Sequence, residues 1–202
     1  MNTSAVPPFL RHAPPTAPLP LVLDSPHSGE HYPDDFYHAP PRDVVRQAED
    51  THVARLYSFA PKFGATLIEA MFPRAFGAVW HIDCHSMAAV GDAYSDDAGR
   101  PRKDFVLGDR DGTTCAPAFT ALVAQTLAGL GYSVSINDPY KGVEIVRRYG
   151  GPNERRHSLQ IEINRRLYMD EATLEPTVGY KKLEADLERL LAAVSAYVQR
   201  KV

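Results

Sequence analysis

The chain has 202 residues, 44% of them hydrophobic, which is enough to bury one sizeable core and sets one α/β domain, rather than two, as the expectation. With 22 Lys and Arg against 25 Asp and Glu, the net charge of -3 gives no bulk electrostatic reason to expect nucleic acid or an anionic membrane, so a small molecule is the expected partner. The two cysteines, Cys84 and Cys115, lack a CxxC spacing and make no disulfide framework, and no apolar stretch nears the ~20 residues that span a bilayer, so a cytoplasmic protein is expected.

Residues 1–18 carry Pro7, Pro8, Pro14, Pro15 and Pro18; so many prolines cannot form the apolar core of a signal peptide, and the segment reads as an extended arm before a domain at 19–202. Leu19 to Asp24 is a short apolar run closed by Ser25-Pro26, a buried strand running into a loop. Residues 42–59 place Val44, Val45, Ala48, Leu56 and Phe59 near helical spacing and predict an amphipathic helix. Ala65 to Phe72 and Phe76 to Asp83 predict two strands joined only by Pro73, Arg74 and Ala75. A parallel crossover needs a dozen or more residues, so either these strands form an antiparallel hairpin or a connecting segment is missing.

Ala88 to Asp111, rich in Gly, Asp and Pro, predicts a long loop bordering the site. A helix over Pro117 to Leu130 stops at Gly131, and Tyr132 to Ile136 alternates as a strand. Leu159 to Ile163 is another strand, and Lys181 to Gln199 is a closing helix with Leu183, Leu187, Leu190, Leu191, Val194 and Val198 on one stripe.

Three short pieces at strand ends carry metal-binding or proton-transferring chemistry: His27-Ser-Gly-Glu30, Asp83-Cys84-His85, and Glu162 within Leu159-Gln-Ile-Glu-Ile163. Catalytic zinc takes three protein ligands and keeps a position open, and His27, Glu30 and His85 supply two imidazoles and a carboxylate. Asp83 or Asp24 can orient His85 from behind. Glu162, an acid among Leu159, Ile161 and Ile163, is costly to bury without a role, which makes it the candidate base. Arg147, Arg148, Arg165 and Arg166 offer forks for a substrate carboxylate. Each piece alone has a plainer reading: HxxE arises often by chance, a single histidine is more often a satisfied core residue, and Glu162 could pair with an arginine. Their shared position at strand ends favours one site. Cys84 reads as a small buried hydrophobe facing away from His85, while His81 and His31 are reserve ligands.

Several of these residues lie in a longer pattern. Asp24-Ser-Pro-His-Ser-Gly-Glu30, Glu49-Asp-Thr51, Ile82-Asp-Cys-His-Ser-Met87, Leu107-Gly-Asp-Arg-Asp-Gly-Thr-Thr-Cys115, Asn137-Asp-Pro-Tyr-Lys-Gly142 and Leu159-Gln-Ile-Glu-Ile-Asn-Arg165 with Tyr168-Met-Asp-Glu171 resemble the N-formylglutamate amidohydrolase family across most of residues 20–175. The resemblance implies a zinc-carboxypeptidase-like fold: a three-layer α/β sandwich with a mixed, mostly parallel sheet and helices on both faces. It implies one zinc per chain on His27, Glu30 and His85, with Glu162 moving the proton. The implied reaction is hydrolysis of N-formyl-L-glutamate, a step of histidine degradation. It also points to Arg147 for the substrate carboxylate, with Arg74, Asn164 and Arg165 as further substrate contacts. Family members carry a long segment after the position of Arg74 that this chain lacks. That departure leaves two alternatives: an amidohydrolase or carboxypeptidase-like enzyme acting on another N-acyl amino acid, and a catalytically silent metal-binding homologue.

Overall fold

In a computed structural model that describes residues 11–15, 18–28, 49–68, 78–93 and 95–201, the apolar runs pair into one mixed sheet. Its strands are β1 (Arg11–His12), β2 (Leu21–Asp24), β3 (Thr66–Ile68), β4 (Val79–Met87), β5 (Phe105–Gly108), β6 (Val134–Ile136) and β7 (Arg156–Asn164), in the order β1-β3-β2-β4-β7-β5-β6. Strands β3, β2, β4 and β7 are mutually parallel; β1 adds antiparallel to β3, and β5 runs antiparallel to β7 with β6 parallel to it. Among the described residues the α-helices are α1 (Val53–Leu56), α2 (Pro117–Gly129), α3 (Glu144–Tyr149) and α4 (Gly179–Gln199).

The two faces of the sheet differ in chemistry because side chains alternate along a strand and paired residues on neighbouring strands share a face. Trp80, Ile82 and Cys84 of β4 pair with His157, Leu159 and Ile161 of β7, and Leu21 and Leu23 join them from β2. Helices α2 and α4 cover this apolar face: Phe119 of α2 meets Tyr197 of α4, and Tyr197 meets Trp80. The stripe from Leu183 to Val198 is buried, each such side chain contributing roughly 1.5–3 kcal/mol when fully removed from water.

The intervening residues make the opposite face. His81, Asp83 and His85 pair with Ser158, Gln160 and Glu162, and Asp24 lies beside Asp83. The short helix α3 and the segment before it lie against this face, where Val143 N–H donates to Gln160 Oε1 and residues 141–142 run flush against β5. A Cβ at Gly108 would stand 2.5 Å from Gly142 N, so the close approach needs glycine.

Three expectations change. The predicted strands after Ala65 and before Asp83 are not hairpin partners: β3 and β4 flank β2, both parallel to it. Residues 69–77, between β3 and β4, lie outside the described residues. The described part of the 42–59 helix is helical only over Val53–Leu56, because His52 is left-handed at φ 67° and Glu49 to Thr51 bend to bring Asp50 across β4. The predicted loop 88–111 contains β5, a strand buried on both faces and therefore without alternation. Arg147 and Arg148 belong to α3. Cys84 and Cys115 are buried and unpaired, and among the described residues no helix is long and apolar enough to cross a membrane.

Candidate active site

Strand β2 ends at Asp24 and hands the chain to the turn carrying His27; β4 continues past Asp83 through His85; β7 brings Gln160 and Glu162 beside them. These are the carboxyl ends of parallel strands, where open α/β sheets assemble their sites. Asp50 enters from the following segment. Its N–H donates to His27 O (3.0 Å) and Ser28 Oγ donates to its carbonyl (3.1 Å), so the β2 turn and the Asp50 segment are clipped together.

The Asp50 carboxylate has a division of labour. Oδ1 accepts from Ser86 N (2.7 Å) and Ser86 Oγ (2.9 Å), while Oδ2 stands 3.0 Å from His85 Nδ1 and 3.4 Å from His27 Nδ1. One donor atom from each of His27, Asp50 and His85 falls within 4.8 Å of the others. Two donors sharing a tetrahedral zinc at ~2.0–2.2 Å stand about 3.3 Å apart, so these separations fit one ion held jointly. Two imidazoles and a carboxylate also match the donor chemistry of catalytic zinc.

The surrounding charge asks for a cation. Asp24, Asp50, Asp83 and Glu162 are four buried carboxylates at one end of the sheet. His85 Nε2 lies 2.7 Å from Asp83 Oδ1 without hydrogen-bond geometry, and neither Asp83 oxygen accepts a hydrogen bond among the described residues. Burial opposes a charge on His85, yet Asp50 and Asp83 on its two sides push its pKa up to about 11. Burial works against the Asp50 carboxylate too, but hydrogen bonds from His27 and His85 hold its pKa well below the usual range. Burial lifts Glu162 to about 8, with His85 opposing that rise. A proton on His85 thus compensates charge that a divalent ion can compensate instead.

The structure brings His27, His85 and Glu162 to the same end of the sheet, together with Asp50. Glu30 and Arg74 lie outside the described residues. Arg147 is exposed and paired with Glu144 one turn earlier in α3. Arg165 donates to Ser86 Oγ (3.0 Å) and Glu49 O (2.9 Å), bracing the Asp50 segment from beneath. Asn164 is fully buried, donates to the carbonyls of Arg102 and Lys103, and accepts from Arg166 N–H. Of the two reserve ligands, His31 lies outside the described residues and His81 is already partnered: Nε2 lies 2.6 Å from Asp24 Oδ1 and Nδ1 lies 2.7 Å from Ser158 Oγ. Sequence reasoning missed Asp50 and Gln160. Asp50 stood inside the quoted Glu49-Asp-Thr51, the one signal that could have marked it.

A sequence model of the N-formylglutamate amidohydrolase family matches residues 19–76 and 74–169, two pieces that meet beside Arg74. An N-formylglutamate deformylase of Pseudomonas aeruginosa is 32% identical over 145 residues, covering 69% of this chain and 53% of the relative. The chain thus spans about half the length of that curated relative. A crystal structure of N-formylglutamate amidohydrolase from Ralstonia eutropha JMP134 superposes with TM-score 0.87 at 34% identity, over 98% of this chain and 100% of the other. A gene product from Agrobacterium tumefaciens shares the fold at TM-score 0.62 and 16% identity, over 90% and 92% of the two chains.

Proposed function

Because the chain belongs to the N-formylglutamate amidohydrolase family, we propose that it hydrolyses the formyl amide of N-formyl-L-glutamate to formate and L-glutamate, a reaction of histidine degradation in the cytoplasm. The observation that carries this reading is the convergence of His27, Asp50 and His85 on one point with the buried carboxyl of Glu162 paired beside His85. One zinc ion per chain held by these residues, with Glu30 as a further proposed ligand, would supply a Lewis acid that lowers the pKa of water to about 7. Asp50 keeps Oδ2 turned toward the two imidazoles because Ser86 occupies Oδ1. His85 turns Nδ1 toward Asp50 at 3.0 Å, and the Asp83 carboxylate stands on the other side of the ring, beside Nε2.

Glu162 accepts a proton from the attacking water and delivers it to the departing nitrogen as the C–N bond breaks. A carboxyl whose pKa stands near 8 can do both in turn at neutral pH. The substrate carboxylates need a cation. Arg147 would serve by leaving Glu144, an exposed pair of the kind worth only about 0–1 kcal/mol, and Arg74 is the other proposed contact. Arg165 and Asn164 support the reading as braces of the site floor.

A second reading is amide hydrolysis on another N-acyl amino acid. It is favoured by the junction beside Arg74, where the two matched pieces meet, and by the half-length match to the deformylase. Elemental analysis together with formate or amine release from N-formyl-L-glutamate and a panel of N-acyl amino acids separates the cases. Stoichiometric zinc and preferential turnover of formylglutamate are expected. Turnover of another acyl amino acid selects the second reading, and zinc without turnover of any would sink both and leave a metal-binding homologue.

A further inference from the structure

Gln160 is fully buried two residues before Glu162 on the same face of β7, and no step of the proposed reaction uses it. Its orientation follows from its neighbours. Val143 N–H can only donate, so the amide atom 2.8 Å from it is the oxygen; the amide nitrogen is thereby turned toward Glu162 Oε1, 2.5 Å away. The position of Val143 is itself set by the close passage of Gly142 over Gly108, where neither residue leaves room for a side chain. A backbone contact between β5 and the segment before α3 therefore fixes one N–H, which fixes one amide, which presents one donor to the carboxylate.

We propose that Gln160 is a positioning residue for Glu162, holding the carboxylate in a single orientation toward the reacting water. The inference rests on Glu162 being the base. A carboxylate on an otherwise free χ3 rotates its two oxygens, while a donor anchored on its far side leaves Oε2 as the oxygen presented to substrate. The hydrogen bond also favours the ionised form that must accept the proton, against the burial that disfavours it. Gln160 acts through Glu162 and touches no substrate, so its loss should be felt in turnover and not in binding.

The test uses the zinc-loaded full chain with N-formyl-L-glutamate, and compares Gln160→Met, Gln160→Glu, Glu162→Gln and the double variant Gln160→Met/Glu162→Gln. Loss of a hydrogen bond to a charged group predicts that Gln160→Met lowers kcat about ten- to hundredfold with KM within about twofold and zinc content unchanged. In the double variant the Gln160 change should add less than about twofold to the Glu162 change, because the residue through which it acts is already gone. Gln160→Glu keeps an acceptor for Val143 N–H and replaces the fixed donor, so it serves if the Met variant does not fold, with the same loss of kcat expected at pH 9. A Gln160→Met or Gln160→Glu enzyme with kcat within twofold of the parent, or losses that multiply in the double variant, overturns the positioning role while leaving Glu162 in place. A Glu162→Gln enzyme with normal kcat overturns the base assignment and this inference with it.

Discussion

The two faces of β4 and β7 are made by the same eighteen-residue set of backbone positions, yet they do opposite jobs. One face presents Ile82, Cys84, Leu159 and Ile161 to helices α2 and α4. The other presents His81, Asp83, His85, Gln160 and Glu162, a row of buried polar groups whose desolvation is unfavourable unless each finds a partner. The contrast teaches that the site is carried by stability generated elsewhere: a period of two lets neighbouring residues in one strand be allotted alternately to cohesion and to chemistry. Substitutions on one face should therefore move stability, and on the other turnover, with little crossing over.

The largest effect expected is on the polar face. Glu162→Gln should lower formate release by about 10²–10⁴ while retaining zinc and thermal midpoint, checked by steady-state kinetics, elemental analysis and a melt. Its counterpart one step away, Ile161→Ala, should destabilise by about 2–5 kcal/mol through the cavity it leaves, with kcat of the folded fraction unchanged; denaturant unfolding beside activity decides this. A fall in specific kcat of the folded Ile161→Ala protein would break the separation of faces.

Asp50→Asn tests whether the metal site takes its carboxylate from Asp50. Zinc affinity should fall at least about tenfold in competition with a chromophoric chelator, and an unchanged affinity would return the ligand role to Glu30. The smallest effect is expected off both faces, at the Asp97–Arg102 pair in the loop after β4. The Arg102 hydrogen bonds hold the Asp97 carboxyl below its ordinary 3.8, so the pair's stabilisation is complete above that pH and is lost as pH falls through the lower folded value. Asp97→Asn should thus be less stable than the parent at neutral pH, and the gap should close below pH 3.8. A gap that widens in acid would contradict the pairing.

The sequence disclosed most of this arrangement where the signal was local. Leu19 to Asp24, Leu159 to Ile163 and the Leu183 to Val198 stripe carry their periodicity within one element, and each formed as expected. Strand β5 was hidden because Phe105-Val-Leu-Gly is four residues long and buried on both sides, which removes the alternation that marks a half-exposed strand. Asp50 was hidden for a different reason. Read in its own window it is one acid on the polar side of an amphipathic pattern; its meaning comes from Ser86 and His85, which arrive from a strand laid down thirty-five residues later. The partition of β3 and β4 to either side of β2 is likewise a matter of which strand is central, and nothing in the run from Ala65 to Asp83 encodes it.

Strand β5 runs opposite to β4 and β7, with Phe105 beside Ile163 and Gly108 beside Gln160. A parallel strand in that place would have drawn the chain to the far end of the sheet before it could enter. Reversal means instead that the segment from Ala88 to Asp104 leaves β4 and enters β5 at the same end, and both of its feet stand at the mouth of the site. Arg102 closes it on itself through Ala88 O and Asp97 and stacks over Tyr140. The direction of a single four-residue strand has thereby made an ordinary connection begin and end on the side of the sheet where His85 and Glu162 stand.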